Sequence, residues 1–114
     1  MRSIITIGPF TVGEIPDPLE YQFLDYNGAA MPISGYSATF TVREKYASTP
    51  IIDNAVATVT DAAEGKVTYV WTGTAFEDQG HYYAEFWIGN TVQRYASELI
   101  TFDVHDSQGT VPPI

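Results

Sequence analysis

The sequence predicts an all-β protein, a sandwich of antiparallel strands, and three observations carry that prediction. Apolar and polar residues alternate in short runs, the pattern of strands with one buried face. Gly, Pro, Asn or Asp closes each run, and these turn signals recur about every ten residues. No segment repeats at helical spacing.

Taken in order, Leu19, Tyr21 and Phe23 alternate with Glu20 and Gln22 before the turn sequence Asp25-Tyr26-Asn27-Gly28. Ala38, Phe40 and Val42 alternate with Thr39, Thr41 and Arg43. Asp61-Ala62-Ala63-Glu64 offers one helical turn at most and stops at Gly65, a residue free to take the positive φ of a hairpin. After it, Val67, Tyr69 and Trp71 alternate with Lys66 and Thr68. Tyr82, Ala84, Phe86 and Ile88 alternate with His81, Tyr83, Glu85 and Trp87. Ile100, Phe102 and Val104 alternate with Thr101, Asp103 and His105. Weaker strands are expected over 4–12, 55–60 and 91–96, which brings the expected total to seven or eight. Ile15-Pro16-Asp17-Pro18 reads as a stiff connector. The organisation is thus one domain over 1–106 and an extended tail over 107–114 that carries Pro112 and Pro113.

Composition excludes several function classes. The chain has 114 residues, 5 Lys+Arg against 14 Asp+Glu, a net charge of −9 and no cysteine. Such an acidic balance disfavours nucleic acid and anionic membranes, both of which are bound mainly through Lys and Arg. The missing cysteines exclude disulfides and thiolate metal sites. No apolar run approaches the ~20 residues of a membrane helix, and the start, Met1–Pro9, is too interrupted for a signal peptide. The expectation is a protein made in the cytoplasm that leaves its cell only as part of something larger.

Asp78-Gln79-Gly80-His81-Tyr82 refines the fold. A Tyr opening a late strand after a Gly-containing corner resembles the tyrosine corner of immunoglobulin-like sandwiches, where the phenol bonds a nearby backbone group. Antibody domains place a cysteine two residues later; Ala84 stands there, so no inter-sheet disulfide exists. Trp71 is the candidate for the tryptophan of an inner strand. Gly80, Tyr82 and Trp71 are therefore the fold-defining residues, with a barrel as the competing architecture.

Read together, Asp25–Gly28, Ile33-Ser34-Gly35, Ala38–Arg43, Gly65–Trp71 and Gly80–Phe86 resemble, in order and spacing, the immunoglobulin-like N-terminal domain of tailed-phage baseplate upper proteins and related small virion proteins. The resemblance runs from about Leu19 to Val104. It implies a virion structural module that binds other virion proteins, with no catalytic residues to carry over. In baseplate proteins further segments usually follow this domain, whereas this chain ends ten residues after Val104 (114 − 104 = 10). The resulting expectation is a decoration or accessory subunit on a capsid or tail lattice, with a baseplate or tail-tip component as the alternative.

Chemistry finds little purchase. Nucleophile elbows, phosphate-cradling glycine loops and His-Glu-x-x-His motifs are missing. A triad of Ser34 or Ser37 with His81 and Asp78 is the kind of trio any β-protein offers. His81 and His105 fall on outward strand faces and lack a third metal ligand, and Asp25–Gly28 reads as turn chemistry before it reads as a calcium loop. Neither catalysis, cofactor nor metal is expected.

Interaction is the remaining reading. Tyr83 and Trp87 share the outward face of one strand, and Tyr95 on the next strand is expected beside them. Exposed aromatics gathered in a patch anchor protein interfaces. A sugar platform and a surface covered by the 107–114 tail are the alternatives, so surface glycans join capsid or tail proteins as expected partners. Pro112 and Pro113 are expected to act as an arm. The acidic surface favours a basic or mixed partner within a large symmetric assembly.

Overall fold

The computed structural model describes residues 4–72 and 76–109. Nine strands form, and among the described residues there is no helix: β1 (Ile4–Thr6), β2 (Phe10–Thr11), β3 (Leu19–Gln22), β4 (Ser37–Glu44), β5 (Ile52–Asp61), β6 (Lys66–Tyr69), β7 (Gly80–Gly89), β8 (Arg94–Ala96) and β9 (Leu99–His105). They follow one hydrogen-bonded path, β1-β9-β7-β4-β5-β6-β3, with β2 also on β9 and β8 also on β7. The all-β, sandwich-like fold expected from the alternation is the fold observed.

Two details differ from expectation. The stretch 4–12 divides into β1 and β2 at Gly8 and Pro9, because a proline has no amide for the ladder, and this raises the strand number to nine. Both pieces run parallel to β9, Ile4 opposite Leu99 and Phe10 opposite Val104, so the antiparallel pattern is broken at this edge. Trp71 also stands two residues beyond the end of β6 rather than within a strand, although it is buried among aromatic rings.

The path curls into two layers through β5. Its first half pairs with β4 (Ala57 opposite Ala38) and its second half with β6 (Thr58 opposite Thr68). The inward residues of β4, β7 and β9 then meet those of β3 and β6. Phe40 stacks on Tyr69 with ring centroids 4.5 Å apart, meets Trp71 edge-on at 5.5 Å, and Phe86 faces Tyr21 at 6.0 Å. Offset and edge-to-face rings at such separations add to the burial of apolar area that drives assembly of the layers.

Two loop residues complete the core without any alternation to announce them. Phe76 stacks on Phe10 at 4.8 Å, and Ile33 is fully buried, its amide donating to the Ala62 carbonyl at 2.8 Å. Gly65 closes the β5–β6 turn at φ 72°, where a Cβ would stand 2.5 Å from the Met31 carbonyl oxygen. The corner is also present: the Tyr82 hydroxyl donates to the Asp78 carbonyl at 2.8 Å, and Gly80 enters the strand at φ 155°.

Candidate interaction face

Strand β7 runs through the middle of the larger layer, paired to β4 on one side and to β9 and β8 on the other. Its inward residues Tyr82, Ala84, Phe86 and Ile88 are all buried. Its outward residues therefore lie on the side of the layer turned away from β3 and β6. Register gives that side its composition, since directly opposed residues share a face. Arg43 lies opposite Tyr83, Thr39 opposite Trp87, Thr101 opposite Tyr83, and Ala96 opposite Trp87.

Tyr83 is half-buried beside Arg43 and Lys45. Lys45 is held above its ordinary pKa, first by the Tyr46 side chain and then by Tyr83. A shallow concavity here is lined by Tyr83, Arg43, Leu99 and Pro50 among others. Of the four Lys and Arg residues described, Arg43, Lys45 and Arg94 thus attend this face, and Lys66 alone belongs to the smaller layer. The expectation of a basic or mixed partner came from the charge of the whole chain; around Tyr83 the surface is mixed, with Arg43 and Lys45 on one side and Glu85 and Asp103 near by.

Trp87 occupies the other end of the face, 38% exposed, its indole N–H donating to Glu85 Oε1 at 2.7 Å. Tyr95 does not join it. The β7–β8 register sets Tyr95 opposite the buried Ile88, so its side chain takes the other face of the sheet, where its ring lies 6.2 Å from Tyr36. The turn between β7 and β8, not the alternation of either strand, decides that placement. Pro112 and Pro113 lie outside the described residues.

The remaining chemical candidates separate in space. Ser37 lies opposite Gly89, eight residues along β7 from His81 (89 − 81 = 8), roughly 26 Å at strand rise. His81 is hydrogen-bonded instead to Asp103 directly across the ladder. No group of three His, Cys, Asp or Glu among the described residues is placed to hold a metal ion. Asp25 spends its carboxylate on the turn, accepting from the amides of Asn27 at 2.8 Å and Ala29 at 3.1 Å. Sequence reading missed Ser97. This buried hydroxyl accepts from the Phe86 amide at 2.9 Å and donates to the Glu98 carbonyl at 2.7 Å, bridging the ladder where β7 changes partner from β8 to β9. A lone Ser between two short strands carries no sequence signal for that role.

Fold and face define a β-sandwich structural module whose outward sheet face carries Tyr83 and Trp87. The family model described as the BppU N-terminal domain, that of the phage baseplate upper protein, matches residues 24–113. The chain belongs to this family, and it is accordingly a structural component of the phage baseplate or tail, a virion protein that assembles with other phage proteins. The match begins at Leu24, so β1, β2 and β3 precede it. Among solved structures, the crystal structure of CopC from Methylosinus trichosporium OB3b is similar, with a TM-score of 0.52 and 14% identity over 90% of this chain and 89% of that one. At that identity the likeness concerns the fold. Comparison with curated proteins gave no match.

Proposed function

We propose that the protein is a non-enzymatic docking module, seated in the baseplate by protein–protein contacts through the open face of its larger layer around Tyr83. Family membership is the observation that supports this reading. The face supports it in detail: an aromatic flanked by Arg43 and Lys45, over Leu99, is the composition of an interface anchor rather than of a solvated strand. The partner footprint that fits is mixed in charge, with an acidic group against Arg43 and Lys45. A decoration role on the capsid lattice is the finer alternative carried over from the sequence.

Mass spectrometry of separated heads and tails tests the location. The protein is expected with the tail fraction, and recovery with heads alone would move it to the capsid. Particles grown with Tyr83→Ala or Arg43→Glu are expected to lose the protein. Incorporation equal to the unaltered chain would remove this face from the docking surface.

A further inference from the structure

The Trp87 end of the face differs in kind from the Tyr83 end. The two aromatics are four positions apart (87 − 83 = 4), about 13 Å along β7. Around Trp87 the neighbours are small: Thr39 and Ala96 stand opposite it, Gly89 follows it on the same face, and Ser37 lies opposite Gly89. The result is an open, shallow depression beside the β7–β8 turn, with Trp87 and Arg94 on its lining.

The polar groups lining it are the hydroxyls of Ser37, Thr39 and Thr91, the amides of Asn54 and Asn90, and Arg94. Asn54 sits in a bulge of β5, two residues facing Thr41 where one would fit, and holds φ 50°. Its amide oxygen accepts from the Thr41 hydroxyl at 3.4 Å, and its backbone N–H donates to the same hydroxyl at 3.0 Å. The Asn90 amide oxygen accepts from the backbone of Val92 at 2.8 Å and of Gln93 at 2.7 Å. In both residues the acceptor end is occupied and the NH₂ end remains. Arg94 adds a guanidinium, and in a chain with 14 carboxylate side chains none of those described pairs with it. Its stem lies over Gly89, where a Cβ would come within 3.2 Å of Arg94 Cγ. Arg94 and Trp87 are diagonal cross-strand neighbours, ~7–8 Å apart by strand geometry.

We propose that this depression binds an anionic saccharide, the indole of Trp87 meeting the face of a sugar ring and Arg94 meeting a carboxylate or phosphate on it. An aromatic plane suits the apolar face of a pyranose, the amides and hydroxyls of the lining suit sugar hydroxyls, and the Arg94 guanidinium suits an anionic oxygen. The site is independent of docking at Tyr83 and uses different residues.

The full chain is applied to an array of bacterial saccharides, neutral, uronate-bearing and phosphate-bearing. Retention is expected on anionic members only, and whether uronates or phosphates are retained identifies the group that Arg94 reads. Trp87→Ala and Arg94→Ala are each expected to weaken binding at least about tenfold, with Trp87→Phe weakening it less. Gly89→Ala, which displaces the arginine stem, weakens it too. Tyr83→Ala binds as the unaltered chain does, which keeps this test apart from that of docking. Thermal midpoints verify that each variant is folded. Retention of no anionic member, or equal retention of neutral ones, overturns the proposal. So does indifference to Trp87→Ala; and if that same variant fails to enter particles, the depression belongs to a protein partner.

Discussion

The two faces of β7 share one backbone and ten residues, yet they have opposite physical roles. Inward, Tyr82, Ala84, Phe86 and Ile88 meet the second layer and disappear from solvent. Outward, His81 meets Asp103, Tyr83 lies beside Arg43 and Lys45, and the Trp87 indole bonds Glu85, so this side carries polar and aromatic contacts rather than a packed core. The first set stabilises the fold, and recognition is the role proposed for the second. Substitutions along this single strand therefore separate stability from recognition, and the expected effects fall off in a definite order.

Phe86→Ala is the largest. The ring is fully buried and contacts Phe40 at 4.6 Å and Tyr21 at 6.0 Å, so its removal opens a cavity between the layers. Urea melts are expected to show a loss of about 3–5 kcal/mol, much of the stability of a domain this size. A loss under about 1 kcal/mol would mean that the layers do not interlock at this position. Ser97→Ala comes next. It deprives the Phe86 amide of its hydroxyl acceptor in a buried setting, and about 1–3 kcal/mol is expected. Ser97→Thr, which keeps an oxygen there, should recover part of it.

The inward face of β7 was legible in the sequence because one residue in two is apolar over its length, and a period of two fixes which side is buried. The tyrosine corner was legible for a different reason: a Gly and a Tyr two residues apart serve a local hydrogen bond. What escaped depends on separation along the chain. Phe76 and Ile33 enter the core from loops, where no period exists to reveal them. Tyr95 went to the wrong face because the β8 register is set by the turn after Gly89 and by the Ser97 crossover, and shifting register by one residue turns every side chain over. The bulge that positions Asn54 likewise exists only in the pairing of β4 with β5. Hence the fold and Trp87 could be read in advance, whereas the companions of Trp87 in its depression could not.

Tyr82→Phe tests the corner at smaller scale. It removes the 2.8 Å bond to the Asp78 carbonyl and little packing, so about 0.5–1.5 kcal/mol is expected in the same melts. The phenol also confers a pH dependence. Burial, followed by the charges of Glu44 and Asp78, raises the pKa of Tyr82, and burial alone raises that of Tyr69. The unfolded chain then releases these protons first, near pH ~10, and above that pH binds fewer protons than the folded one. Stability is full below that value and declines as pH climbs towards the folded-state values. Melts across the alkaline range should show this decline, and Tyr82→Phe should lessen it without abolishing it, since Tyr69 remains.

The smallest effect on stability is expected where the effect on binding is largest. Trp87 keeps 38% of its surface exposed, and its indole N–H bonds only to Glu85 on the same strand. Truncation to Ala uncovers no core residue, because the side chains beneath that point are the inward neighbours Phe86 and Ile88, already sealed by the opposite layer. A change within about 0.5 kcal/mol is expected, as for substitutions away from packed or networked positions. The same holds for Tyr83→Ala within about the same margin. If either variant melted as early as Ser97→Ala, the ring would have to be structural, and the division of β7 into a folding face and a recognition face would fail. If both melt with the unaltered chain, any loss of docking or saccharide retention belongs to the surface itself.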